Sequence, residues 1–241
     1  MDRIISVCAI AAGSLLGSVA SADMVKIADS LQEFSGIQGV DGWSYGWYAD
    51  ADIAHTPGFA AVNTANFQEF EYYAPGSGWW THDSVSASSG AGGSPYFLTV
   101  VTADAMHANA PIPGSHEIAD DIRWASRRWT SEISGTIDII GHIAKMDQGS
   151  LLGDGIDAYV IIDGISVFYY GVEVGDYTGT DFSLSATVTE GSVVEFIVGS
   201  RQSGLFDAVS FRSEIYGQPV PTPGALALLG AGGLLAGRRR R

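Results

Sequence analysis

Apolar and polar residues alternate with a period of two through much of the C-terminal half of the chain. Ile137, Ile139, Gly141 and Ile143 are interleaved with Thr136, Asp138, Ile140, His142 and Ala144, which predicts a strand with its odd positions facing a core. Ile156, Ala158, Val160 and Ile162 lead into Asp163-Gly164 and then Ile165, Val167 and Tyr169. Both residues of an Asp-Gly pair tolerate positive φ, so this stretch predicts a hairpin with those apolar residues inward. Phe182, Leu184, Ala186 and Val188 alternate with Ser183, Ser185, Thr187 and Thr189, and Glu190-Gly191 turns the chain into Val194, Phe196 and Val198. Val209, Phe211 and Ile215 face inward in the last strand, with Ser210, Arg212 and Glu214 outward. No apolar stripe of helical period persists for three turns in the body, and 31 glycines are spread among Ser, Thr, aromatic and β-branched residues. The pattern predicts an all-β fold, an antiparallel β-sandwich.

The N-terminal half is less regular. Trp43–Tyr48, Phe67–Tyr73 and Tyr96–Val101 read as strands, whereas Asp50–Gly58, Ser84–Ser94 and Ala103–Asp121 read as loops. The run SVSASSGAGGS, Ser84–Ser94, sits between aromatic strands and is taken as a long surface loop within one domain spanning residues 23–218.

Both ends carry targeting patterns. Arg3 precedes a mostly apolar stretch from Ile4 to Leu16, and Ala20-Ser21-Ala22 fits the small-x-small rule, so residues 1–22 are expected to be a signal peptide cut after Ala22. Cys8, the single cysteine, falls inside that segment, leaving a body without disulfides that depends on its core. At the other end, residues 219–241 run from Val220-Pro221-Thr222-Pro223 through a 14-residue apolar stretch, Gly224–Gly237, to Arg238, Arg239, Arg240 and Arg241. That stretch is shorter than the roughly 20 residues a helix needs to cross a bilayer core. Four adjacent arginines would hold its end at a cytoplasmic face.

This layout resembles the PEP-CTERM sorting tail, with Thr222 where that family usually carries glutamate. The resemblance implies a transmembrane tail and transient contact with the inner membrane. It also implies export and tail-sorting machinery as partners, and delivery to the envelope, surface or matrix of a Gram-negative-type bacterium. It says nothing of activity.

Charge narrows the partners. Setting aside Asp2, Arg3 and the four terminal arginines leaves 7 basic against 26 acidic residues, a formal charge of −19. Such a body excludes nucleic acid and anionic lipid as ligands and makes calcium a reasonable one.

The segments SRRWTSEISGTIDIIGHIAKMD, GDGIDAYVIIDGISVF and SATVTEGSVVEFIVG within Ser126–Tyr216 are similar to a β-sandwich module of exported planctomycete-type proteins, as is QGVDGWSYGWY at Gln38–Tyr48. The resemblance implies a jelly-roll-like fold of the carbohydrate-binding-module kind. This body would be flanked by an N-terminal signal helix and a short C-terminal hydrophobic helix.

Several groups are candidates for chemistry. Trp43, Tyr45 and Trp47 share one strand face. That face is either core or a flat platform for sugar rings, with Tyr48 exposed on the opposite face and Trp79 and Trp80 adding to the platform. Asp154 and Asp157 in the loop Gly153–Asp157 offer oxygens for calcium, although a plain turn explains the same residues. Asp50 and Asp52 form a weaker second candidate. Five scattered histidines and no cysteine in the body give no zinc pattern. Arg127 and Arg128, beside Trp129, suggest either an anion site or ion pairs with Glu132. A glycosidase needs two carboxylates about 5–10 Å apart across a cleft. Glu69 with Glu71, and Glu117 with Asp120 and Asp121, have no distinguishing context.

The expectation is a non-catalytic envelope or matrix protein that binds polysaccharide. The alternative is a secreted jelly-roll glycoside hydrolase or lyase.

Overall fold

The computed structural model describes residues 23–81, 99–110, 122–146, 153–204 and 206–218. Both expected targeting segments, with Ala20, Ala22, Val220, Pro221, Pro223 and Arg238–Arg241, lie outside them, as do the Ser84–Ser94 run and the acids Glu117, Asp120 and Asp121.

Strands in chain order are β1 (Val25–Asp29), β2 (Trp43–Ala49), β3 (Ile53–Thr56), β4 (Phe59–Val62), β5 (Gln68–Glu69), β6 (Tyr72–Ala74), β7 (Gly78–Trp80) and β8 (Val100–Val101). They continue with β9 (Ala105–His107), β10 (Arg123–Thr130), β11 (Gly135–Lys145), β12 (Ile156–Ile162), β13 (Ile165–Val172), β14 (Thr180–Val188), β15 (Val193–Ser200) and β16 (Val209–Gly217). They form two antiparallel sheets. One runs β14-β11-β16-β9-β8-β7-β6, with β1 also paired to β16; the other runs β3-β4-β13-β12-β15-β10-β2-β5. Strands from both halves of the sequence enter both sheets.

The inner faces meet in one core. Ile137, Ile139, Ile143, Phe182, Phe211 and Ile215 from the first sheet pack with Trp43, Tyr45, Ala158, Val160, Phe196 and Val198 from the second. Phe196 and Phe211 make an edge contact across the gap at 5.5 Å, and Phe168 stacks on Phe182 at 4.8 Å. Phe182 also lies over Gly141, where no Cβ would fit. The predicted inward positions of β11, β14, β15 and β16 all face this core. The Asp163-Gly164 turn forms as expected, with both residues at positive φ, 48° and 89°.

The predicted facing of β13 does not hold. A register shift between Val160 and Ile161 slips one residue into β13. Phe168, Tyr170 and Val172 therefore reach the core, while Ile165 and Val167 face solvent. Two predicted loops also contain strands. Asp50–Gly58 includes β3, which pairs with β4, and Ala103–Asp121 includes β9. The predicted strand Phe67–Tyr73 is broken: β5 pairs with β2, and after buried Phe70 the chain crosses so that β6 pairs with β7 in the other sheet.

The second sheet is covered on both faces. On its outer face Tyr48, Trp124, Tyr159, Ile161 and Ile197 are sealed by Ile53, Ala60 and Val62 of the β3–β4 hairpin, with Phe67 against them. The hairpin is the margin of the same sheet, joined to β13 at Ile165↔Ala61, and full burial of each large apolar side chain beneath it is worth ~1.5–3 kcal/mol. On the outer face of the first sheet, β14 exposes Asp181, Ser183, Ser185 and Thr187, and no hairpin among the described residues covers it. We call the two the open and the enclosed sheet.

Arg127 ties them together. It projects from β10 into the core with 0% exposure. It donates to Phe211 O at 3.0 Å on β16, and to Thr102 O at 2.7 Å and Ala103 O at 3.1 Å between β8 and β9. Burial pulls its guanidinium down to about 10, still charged at neutral pH. Neither Arg127 nor Arg128 pairs with Glu132 as the sequence suggests; Arg127 takes backbone carbonyls and Arg128 takes Glu195. Replacing Arg127 by Met should lower the unfolding free energy in urea by about 3 kcal/mol, because buried carbonyls lose their donors.

Candidate functional site

Most of the aromatics predicted from the sequence are structural. Trp43 and Tyr45 are fully buried, and Trp47 is half-buried against the same core with Arg123 4.5 Å above its ring. The shared face of these three residues is therefore core. Tyr48, expected to be exposed, has 0% exposure because the segment around Phe67 covers it, the two rings 5.7 Å apart. Its hydroxyl donates to Glu195 Oε1 at 2.9 Å and accepts from Arg128 Nη2 at 2.7 Å. Arg128 Nε meets Glu195 at 3.1 Å, and its guanidinium lies 3.9 Å over Phe67. Burial pushes the Glu195 carboxyl up, outweighing Arg128 and the hydroxyls of Tyr48 and Ser126. It is sealed from solvent.

The acidic loop is also committed internally. Arg201 Nε meets Asp157 Oδ1 at 3.1 Å, Nη1 donates to Asp154 O at 2.9 Å, and Nη2 meets Glu173 at 2.8 Å. Tyr169 donates to Asp157 as well, and Asp154 Oδ2 accepts from Gln202 N at 2.7 Å. The guanidinium supplies the positive charge that calcium would have brought. Asp154 Oδ1 has no hydrogen-bond partner, but one oxygen is far from the 6–8 that calcium takes. No group of three or more His, Asp or Glu among the described residues is arranged to hold a metal ion. These residues do not fit a calcium site. Asp50 and Asp52 are likewise taken, accepting from Trp124 Nε1 at 2.9 Å and Asn66 Nδ2 at 2.7 Å.

An exposed aromatic, Tyr72, lies on the outer face of the open sheet. The register aligns Tyr72 with Trp80, Trp80 with Val100, and Val100 with His107, so one outward row crosses β6 to β9. Tyr72 is 38% exposed and stacks on half-buried Trp80 at 6.2 Å and 20°. Their neighbours Tyr73 and Trp79 point the other way, and Trp79 stacks on Tyr45 in the core at 5.9 Å. Of the predicted aromatic set, Trp80 alone thus belongs to an outward-facing ring pair. Its partner Tyr72 was not singled out, although the turn Pro75-Gly76 between Tyr72-Tyr73 and Trp79-Trp80 signals a hairpin with paired rings.

Beyond the row, on the same face, is a groove of about 520 Å³, within the range of small-ligand sites. Ile140 and Leu31 give it apolar surface, and Gln32, His142, Arg212 and Glu214 give it polar surface. His142 Nδ1 lies 2.7 Å from Asp181 Oδ1, and Lys26 bridges Asp29 at 2.8 Å and Glu214 at 3.3 Å. Burial raises the Asp29 carboxyl, but Lys26 and the amides of Gln32 and Leu31 outweigh it and hold the group below the usual range. By the ~3.4 Å residue rise and ~4.8 Å strand spacing, groove and aromatic row span on the order of 20 Å. A second groove of about 470 Å³ is lined by Glu33, Asp41 and Glu132 together with Val25, Ile27 and Ile133, and the one ring in its lining, Trp129, is buried.

No family model matches the chain, and no curated protein does. Among solved structures it is similar to a family 51 carbohydrate-binding module from Clostridium perfringens in complex with methyl-galactose. That match has 13% identity and a TM-score of 0.30, over 44% of this chain and 77% of that one. A family 35 carbohydrate-binding module from Clostridium thermocellum matches at 11% identity and TM-score 0.27, over 46% and 87%. A Kluyveromyces marxianus β-glucosidase in complex with glucose matches at 10% and 0.31, over 86% of this chain and 20% of that one. Similarities at this level carry no function across.

Two predictions follow from the charged groups. Arg201→Ala should cost about 1–2 kcal/mol in urea unfolding, whereas excess EDTA should leave the wild-type melting temperature unchanged. Asp29, with its lowered carboxyl, contributes stability that is complete above the ordinary carboxylate range and lost as pH falls through its own value. Asp29→Asn should therefore be less stable by about 1 kcal/mol at pH 7, and the difference in melting temperature should close on acidification.

Proposed function

We propose that the chain is an exported, non-catalytic β-sandwich of the jelly-roll-like kind that binds polysaccharide on the outer face of its open sheet. The observation that carries this proposal is the outward-facing Tyr72–Trp80 pair. Parallel rings on a half-open sheet face offer a flat apolar surface to the C–H faces of a sugar ring, and the groove beyond them offers donors and acceptors for hydroxyls. The span from row to groove suits a chain of several sugar units better than a monosaccharide.

The non-catalytic part rests on the carboxyls. A glycosidase acid must be held protonated at working pH. The acids of the groove are instead paired with Lys26 and His142, and Glu195, whose carboxyl burial raises, is sealed from solvent. Export and delivery to the envelope rest on the signal pattern ending at Ala22 and on the resemblance of residues 219–241 to a PEP-CTERM tail.

The test is retention of the purified chain on a polysaccharide array, with released reducing ends assayed on the same plate. Tyr72→Ala and Trp80→Ala should each weaken retention at least about tenfold, or 1.4 kcal/mol, and wild type should release nothing. Retention unaffected in both variants would remove the aromatic row from the account, and release of reducing ends would establish the enzymatic alternative.

A further inference from the structure

Five strands have a single partner among the described residues, and four of them are short: β6 has three residues, β3 four, β5 two and β1 five. Short edge strands are one way sheets avoid pairing with other chains; lysine, proline, bulges and covering loops are others. The fifth, β14, has none of these among the described residues. β14 is nine residues long and pairs with β11 in unbroken register from Thr180↔Ile143 to Val188↔Gly135. Among the described residues no strand pairs with its other edge. It contains no proline, lysine or bulge, and the stretch Phe182–Thr189 carries no charge in a body whose formal charge is −19.

We propose that β14 pairs with β14 of a second copy of this chain, antiparallel about a two-fold axis, joining two open sheets into one. This goes beyond polysaccharide binding and does not depend on it. The partner is identified by self-complementarity. With the axis at Leu184, all nine residues overlap, and Ser183 faces Ser185 of the second copy. Inward residues then meet inward residues, and Ser and Thr meet Ser and Thr, which form favourable cross-strand pairs. The one charge in the strand, Asp181, would face Thr187 of the second copy and not its own counterpart. Leu184 and Ala186 stand half-buried at the open margin of the core, and the same residues of the second copy would complete their burial.

The test uses the full chain with Cys8→Ser, which leaves no thiol. Ser185→Cys places two cysteines diagonally across the proposed axis, whereas Asp138→Cys lies one strand further in on the same face. A short thiol cross-linker should give at least about fivefold more dimer with Ser185→Cys, taking cross-strand diagonals as ~7–8 Å. Ser183→Lys with Ser185→Lys sets like charges opposite one another and should convert a sedimenting dimer to monomer with little change in melting temperature. A monomeric wild type, equal cross-linking of the two cysteine variants, or a dimer that survives the lysine pair would each overturn the proposal.

Discussion

The enclosed sheet is buried on both faces, and this constraint decides where function can sit. Its inner face packs against the open sheet, and its outer face is sealed by the β3–β4 hairpin and Phe67. Strands β10, β12 and β15 consequently have almost no accessible side chains. Their charged groups find partners inside the protein, since a buried group left unpaired costs roughly 1–3 kcal/mol, although Tyr159 Oη and Ser200 Oγ are buried without one. The outer face of the open sheet, by contrast, carries an aromatic row and a groove.

The arginines show how that constraint is met. Arg127 and Arg128 are neighbours on β10 and so project to opposite faces. One enters the core and holds carbonyls of β16 and the β8–β9 link; the other lies under the hairpin and neutralises buried Glu195. Arg201 gathers Asp157, Glu173 and the Asp154 carbonyl at the mouth of β12. With Arg123 and Lys145 also buried, a body with few cations spends five of them on internal structure, which leaves its surface strongly negative.

Alternation made the C-terminal half legible, because a period of two survives wherever one face is open. It fixed the inward rows of β11, β14 and β16 and the Asp163-Gly164 turn. It misassigned β13, where a one-residue shift beside Val160 exchanged the faces, and an inserted bulge residue has no signature in a run of β-branched and aromatic residues. It could not foresee that Tyr48 is buried, since the period assigns a side to each residue but cannot tell whether that side is covered. The covering hairpin, β3 and β4, is only four residues per strand and starts in a stretch that reads as a loop. The acidic loop was visible as a cation site; its cation, Arg201, lies 44 residues from Asp157 and no local spacing connects them. Tyr72 was hidden for a related reason, since the strand Phe67–Tyr73 was expected whole and breaks at Phe70 between the two sheets.

These features describe one body with two kinds of surface. The enclosed sheet and its hairpin lid supply rigidity without disulfides. The open sheet presents rings and a groove on its face and an unprotected strand at its margin. The most direct measurement is hydroxyl-radical footprinting of the chain with and without a retained polysaccharide, read residue by residue by mass spectrometry. The account predicts that oxidation of Tyr72 and Trp80 falls on binding while Tyr177, exposed elsewhere, is unchanged. Protection confined to other residues, with Tyr72 and Trp80 oxidised as before, would contradict it.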